Sequence, residues 1–372
     1  MVKVLFIRCH HNSSRVFKEA KSVSKHGYDV DLFLWNRDTN NTKITTEKYY
    51  NKYEYGLKAP YGKYRLFFFW IIWWNAIFHY LMKNQYDIVH VCGFDSYIPA
   101  ILGKFKGYRI IYDIFDFFGE SMPASTPIIL KKSISAFERY LIQFADAVII
   151  VDEFRKEQLK KAKIGRLEII MNCVSDEIEN IFQKKDNRNV VFRVFYGGML
   201  SRTRGLIQLI ESIKDKQDIQ LIIAGSGEDE NMIKNIIKNL GNINFIGQIT
   251  HKEALVQTYQ ADVIFAYYDP IIPNNKLASP NKLFEAMMCA TPIIVNEETT
   301  MANIVKEEKC GVIVPYCDIP RLKSMLIQLK NNHEYCTILG KNGRIAFEKK
   351  YNWDIMEQRL VNLYHSLTVC TQ

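Results

Sequence analysis

The stretch YRLFFFWIIWWNAIFHYLM, residues 64–82, is the most hydrophobic run of the chain, and its reading decides between a membrane protein and a soluble α/β fold. Its apolar part, residues 66–82, counts 17 residues, the lower limit for spanning a bilayer, and Asn75 and His79 interrupt it. Asn75, His79 and Lys83 fall at i, i+4 and i+8, a polar stripe along one helix face. Four positions after the run, YDIVHV begins and reads as a buried strand. A helix that passes so soon into a sheet would have to leave a bilayer at once, so it is expected to pack on that sheet. Trp70, Trp73 and Trp74 fall within five residues and are taken to point in several directions, whereas a sheet covers one side of a helix. The expectation is therefore packing combined with an outer aromatic face, carrying these tryptophans, that dips into a lipid interface.

Strand-length apolar runs recur on both sides of this helix, separated by amphipathic segments, the pattern of an α/β protein with parallel sheets. VKVLFI, YDVDLFL, YDIVHVC, RIIYDI, DAVIIV and LEIIM form a first series. VFRVFYGG, IQLIIAGSG, INFIGQ, DVIFAYY, PIIVN and CGVIV form a second. Between them the polar segment SDEIENIFQKKDNRN makes the natural linker. The expected division is residues 1–174, a linker at 175–189, a second domain at 190–350 and a closing helix at 351–372. With 372 residues and 48% hydrophobic content, two packed cores are affordable, and two doubly wound domains facing across a cleft is the economical architecture.

The net charge of +9 is unevenly distributed. Residues 1–170 hold 26 Lys+Arg against 17 Asp+Glu, and the remainder holds 23 against 23. The first half is thus expected to meet something anionic, and with no recognisable nucleic-acid motif the choice falls on a membrane surface. MVKVLFIRC shows no secretory leader, which sets the expectation of a cytoplasmic protein, peripheral on the membrane. Cys9, Cys92, Cys173, Cys289, Cys310, Cys317, Cys336 and Cys370 are scattered without metal-finger spacing and read as reduced thiols.

The chemistry concentrates in the second half. VFRVFYGGMLSRTRGL is a strand ending in Gly197 and Gly198, a loop with Arg202 and Arg204, and a helix opening at Gly205; glycines admit a ligand to the backbone, and guanidiniums beside a helix N-terminus suit a diphosphate. A second strand runs into Gly225. In SPNKLFEAMMCATPIIVN, Ser279 is the expected cap of a helix from about Asn281, and Glu285 lies one turn in, where a carboxylate can accept two vicinal ribose hydroxyls.

These segments resemble the retaining glycosyltransferases of family 4, with the GT-B fold of two Rossmann-like domains and a C-terminal helix returning toward the first. NSSRVFKEAKSVSKHGYDVDLF, GGMLSRTRGL, SPNKLFEAMMCATPII and YNWDIMEQRLVNLY carry the likeness over nearly the whole chain. The resemblance implies a nucleotide-sugar donor, expected to be UDP-linked, held by Gly198, Arg204, Gly225, Ser279, Asn281, Lys282, Leu283 and Glu285, with Arg202 nearby but matched to no family position. It implies Arg204, Lys282 and Asp116 as catalytic groups, and neither cofactor nor metal. His10, His11, Arg15, Asp113 and Glu120 are the acceptor candidates, and the membrane expectation makes that acceptor a polyprenyl-diphosphate-linked glycan.

The sequence departs from the family in three places. Leu277 stands where the donor motif usually has its first Glu, Met199 where the phosphate turn has a basic residue, and Phe115 where an active-site His is frequent. A soluble acceptor, a sugar-nucleotide epimerase and a non-catalytic nucleotide-sugar-binding partner are the alternatives. His90, inside an apolar strand, is expected to be structural.

Overall fold

A computed structural model describes residues 1–60, 66–122, 126–181 and 191–369. Two largely parallel sheets carry the chain, one in each of two compact units, Met1–Met171 with Met356–Gln372 and Asn172–Ile355. In the first unit the strands are β1 (Lys3–Arg8), β2 (Asp29–Asn36), β3 (Lys43–Thr46), β4 (Asn51–Gly56), β5 (Ile88–Cys92), β6 (Arg109–Ile114), β7 (Ala147–Ile150) and β8 (Leu167–Ile169). They lie in the order β3-β4-β2-β1-β5-β6-β7-β8, with β3 alone antiparallel to its neighbour. The second unit holds β9 (Phe192–Gly197), β10 (Ile219–Ala224), β11 (Ile243–Phe245), β12 (Val263–Ala266), β13 (Ile293–Asn296) and β14 (Gly311–Val314). Their order is β11-β10-β9-β12-β13-β14, all parallel.

Both orders reverse beside a first strand, at β1 and at β9. Strands so placed are covered on both faces by crossover helices, which is why they read as continuous apolar runs. In the second unit Leu206, Leu209, Ile210 and Ile213 of the helix Leu206–Ile213 are fully buried against Val194, Leu221 and Phe265. Each such side chain contributes about 1.5–3 kcal/mol on leaving water.

The expected linker is described only as far as residue 181, where Ile178–Ile181 forms one helical turn; residues 182–189 lie outside the described residues. The closing helix runs Trp353–Val369. Its Tyr364 hydroxyl shares a 2.7 Å hydrogen bond with His90 Nδ1 inside the first unit, so His90 is a core residue. Six cysteines are buried and Cys317 is exposed; Cys370 lies outside the described residues.

The aromatic run forms the helix Leu66–Lys83. Among the described residues no helix is long and apolar enough to cross a membrane. The tryptophans correct the expectation of a lipid-facing set. Trp70, Trp73, Trp74, Ile77 and Leu81 are spaced three and four apart, which gathers them on one face rather than scattering them. Trp73 is fully buried, stacked 5.2 Å from Phe33 and 5.6 Å from Trp35, and its indole N–H donates to Ser96 Oγ at 3.2 Å. The Trp74 N–H donates to the Asp95 carbonyl at 2.7 Å, and Trp70 packs edge-on against Phe118 at 5.2 Å. The side chains left outside are Phe68, Ile71 and Ile72, with Asn75, His79 and Lys83 on the polar stripe.

Glu138, on the helix Ile128–Leu141, is fully buried and ties that helix to the loop after β6. It accepts from the Tyr112 hydroxyl at 2.7 Å and from the Phe118 amide at 2.9 Å. Glu138→Ala would orphan both donors, at about 1–3 kcal/mol each. We expect a urea-unfolding midpoint for the first unit lowered accordingly, and a smaller loss for Glu138→Gln, which keeps one acceptor. An unchanged midpoint for Glu138→Ala would show that these bonds do not hold the loop.

Candidate functional site

In the second unit the loops after β9 and β10 touch through their backbones. The Gly198 amide donates to the Ala224 carbonyl at 3.0 Å and the Gly225 amide to the Gly247 carbonyl at 2.8 Å. Gly225 has φ +132°, and a Cβ built there would lie 1.8 Å from the Gly198 carbonyl oxygen, so only glycine fits. Beside this contact opens a cavity of about 740 Å³, lined by Gly198, Met199, Gly225, Ser226, Glu228, Gln248 and Ile249. It sits at the carboxyl ends of β9, β10 and β11, beside the strand at which the order reverses, at the end of the sheet where such folds take ligands.

The turn Arg202–Arg204 is capped by Ser201, whose side chain accepts from the Thr203 amide. Gly205, at φ +67°, then starts the next helix; a Cβ there would collide with Tyr267. This geometry lays the Arg204 guanidinium 4.0 Å from the centre of the Tyr268 ring and lets it donate to Asn275 Oδ1 at 3.2 Å. Lys282 Nζ lies 4.3 Å from the Tyr196 ring centre and 5.9 Å from that of Tyr268. Both cations are half-buried against aromatic faces, and among the described residues neither forms an ion pair. Burial, with Arg204's charge alongside, pulls the Lys282 ammonium down to about 7, and Glu285 opposes the shift. Two basic groups held this way are suited to an arriving anion.

Glu285 is nearly enclosed and its Oε1 lies 2.9 Å from His251 Nε2. His251 opens the helix His251–Gln260, which a reciprocal Thr250–Glu253 capping box fixes in place. The helix Asn281–Met288 corrects the expected cap. Pro280, in extended conformation, takes the N-cap position and no side chain caps the turn. Ser279 Oγ and Asn281 Oδ1 are instead buried without hydrogen-bond partners, polar atoms left for a ligand. Two other expected donor contacts are placed differently. Arg202 is committed to Asp229 at 2.9 Å, and the Leu283 side chain is wholly in the core, leaving only its backbone to face a ligand.

In the first unit, Asp113 and Arg15 do not line a surface. Asp113 is completely buried, 3.4 Å from Arg15, which also reaches Glu19 at 2.9 Å. Their charges are matched inside the fold, out of reach of an acceptor in this structure. Glu19, His90, Cys92 and Asp113 bring potential metal-ligating atoms within 4.8 Å of one another. The Arg15 guanidinium already occupies the position of the counter-cation there, so these residues are a poor fit for a metal ion.

Asp116 keeps an open carboxylate, paired with the buried Arg155 at 2.9 Å, and Glu120 accepts from Gln158 at 2.6 Å. His11 lies 3.8 Å from Asp38. Burial and the Arg8 and Arg37 guanidiniums pull His10 down to about 4, which makes it neutral at pH 7. The positive groups near the end of β1 are therefore Arg8 and Arg37, which the sequence reading passed over. Arg8 donates to the Cys92 carbonyl at 2.8 Å, and Cys9 hydrogen-bonds Asp95. Phe115 packs against two guanidiniums, 4.5 Å from Arg8 and 5.0 Å from Arg15.

Comparison with known proteins adds the family. The model described as "Glycosyltransferase Family 4" matches residues 14–178, and that described as "Glycosyl transferases group 1" matches residues 175–346. An uncharacterized glycosyltransferase of Methanocaldococcus jannaschii is 27% identical over 67% of this chain and 68% of its own length. A GDP-mannose-dependent monoacylated alpha-(1-6)-phosphatidylinositol monomannoside mannosyltransferase of Corynebacterium glutamicum is 27% identical, over 41% of each chain, so the match spans about two-fifths of that relative. Among solved structures, sucrose-phosphate synthase from Thermosynechococcus elongatus superposes over 100% of both chains with a TM-score of 0.82 at 19% identity, a likeness of fold. With one family model on each half of the sequence and the same two-sheet fold along its whole length, the chain belongs to the family 4 glycosyltransferases of GT-B fold.

Proposed function

We propose that the protein moves a sugar from a nucleoside diphosphate donor, UDP-linked, to a membrane-associated acceptor whose glycan is carried on a polyprenyl diphosphate, with retention of anomeric configuration. The observation that carries the donor half is the pair Arg204 and Lys282 flanking Tyr268, with Glu285 one helical turn from Lys282. As the bond from the sugar's C1 to the diphosphate oxygen breaks, negative charge grows on the leaving group, and these two fixed cations are aimed at it. Glu285 binds the ribose hydroxyls, and Ser279 and Asn281 line the sugar-diphosphate end, where the Ser279 hydroxyl can donate to a phosphate oxygen and Asn281 Oδ1 can accept from a sugar hydroxyl. The departing phosphate takes the acceptor's proton while attack proceeds on the same face, so no protein nucleophile enters. Asp116 is assigned to orient a sugar hydroxyl.

The Corynebacterium relative acts, by its name, on a lipid-borne acceptor, which supports the membrane half. The same name specifies GDP-mannose, so the base is tested directly: UDP should displace a bound donor at lower concentration than GDP, and the reverse order would correct the base alone. Donor binding without transfer to any acceptor would favour the non-catalytic alternative.

Glu285→Ala should weaken donor binding by about 1.5–3 kcal/mol, the worth of hydrogen bonds to a charged group, without lowering the thermal midpoint. Calorimetry that finds unchanged affinity would remove Glu285 from the ribose site. Arg204→Ala should reduce kcat more than donor affinity, because its interaction strengthens in the transition state. Equal losses would leave it a ground-state anchor.

The Lys282 ammonium, free near pH 7, is held protonated by a bound diphosphate, so binding takes up a proton. Donor affinity should be level below about 7 and fall as pH rises above it. The binding enthalpy at pH 7.5 should then depend on the buffer's ionisation enthalpy, and Lys282→Met should remove that dependence. A binding enthalpy indifferent to buffer in the wild-type protein would refute the assignment.

A further inference from the structure

The helix Ile128–Leu141 is amphipathic the wrong way round for a helix that only covers a sheet. Its buried residues include Ser135 and Glu138, whereas Ile129 is 76%, Tyr140 60% and Phe137 49% exposed. Ile129, Phe137, Tyr140 and Phe144, with Ser133 and Ala136 between them, follow helical spacing and form one outward stripe. Phe144 continues it, its ring 6.1 Å from Tyr140. The Phe144 carbonyl accepts from Lys104 Nζ at 2.7 Å, which brings the turn Lys104–Lys106 alongside, with Phe105 73% and nearby Leu102 62% exposed. A contiguous set of large apolar side chains left in water marks a contact surface.

We propose that this face docks on an anionic lipid bilayer. The proposal deepens the reading of a membrane-borne acceptor, and rests on it for its purpose. The first turn sets Ile128, Ile129 and Leu130 directly before Lys131 and Lys132; Lys131 shares a face with the buried Ser135 and Glu138, whereas Lys132 is exposed beside the stripe, and among the described residues no carboxylate pairs with it. Cores of protein interfaces are depleted in lysine. An apolar wedge with an exposed lysine at its rim matches a bilayer instead, with the isoleucines at the headgroup–acyl boundary and Lys132 among anionic headgroups. The surplus of positive charge lies in this half of the chain, 26 Lys+Arg against 17 Asp+Glu over residues 1–170.

The test is cosedimentation of the full chain with vesicles of phosphatidylglycerol and phosphatidylcholine, without donor or acceptor. The wild-type protein should bind them at low salt and progressively less as salt rises, and should bind pure phosphatidylcholine weakly. Ile129→Glu should weaken partitioning at least about ten-fold, and Lys132→Gln about five-fold, with donor affinity and thermal midpoint unchanged. Absence of wild-type binding at low salt, or equal binding by Ile129→Glu, overturns the proposal. So does light scattering that finds a dimer which Ile129→Glu splits, since the face is then a protein interface. Vesicle binding needs no sugar transfer, so failure of the transferase reading appears separately, as no product with any acceptor while docking persists.

Discussion

The contact between the backbones of Gly198 and Gly225 is the constraint on which the donor site depends. Two strand ends converge closely enough that a single methyl group would force them apart. Beside this contact, the turn bearing Arg204 and the helix bearing Lys282 and Glu285 bring their cations onto the rings of Tyr196 and Tyr268. Aromatic faces hold cations without neutralising them, which leaves their charge for a ligand.

The first unit solves a different problem. Its central polar cluster joins Arg15, Glu19, His90, Asp113 and Tyr364, drawn from a helix, two strands and the closing helix. Burial raises the Glu19 carboxyl to about 8, and the Arg15 guanidinium beside it opposes the shift. Such a cluster fixes the registry of the elements that meet there more than it adds stability. Asp116, whose carboxylate stays exposed on the buried Arg155, and Arg8 with the buried Arg37 sit around this frame at the carboxyl ends of the strands.

Most of the fold was legible because buried parallel strands must be apolar throughout, and every strand of the second unit is announced by such a run. Strands β3 and β4 were not, since KITT and NKYEYG lie toward one edge, half wet, and carry no apolar signal. The donor segment was legible as a resemblance through SPNKLFEA, although Pro280 displaced Ser279 as the cap. His251 was hidden because nothing local links it to Glu285, 34 residues away. Asp113 and Arg15 were misread for a related reason: a buried ion pair and a surface site draw on the same residue types, and only the third dimension separates them. The tryptophans failed on geometry alone, since three residues within five can still share one helical face.

Phe115 stands against the guanidiniums of Arg8 and Arg15, and this arrangement limits what that position can become. A histidine introduced there would meet two positive neighbours that disfavour its protonated form. It would also give up much of the quadrupole that the arginines lean on. Exchange of Phe115 for histidine alone is therefore not a neutral change: the arginines would have to move or be replaced with it, and the loop they brace would have to find other support.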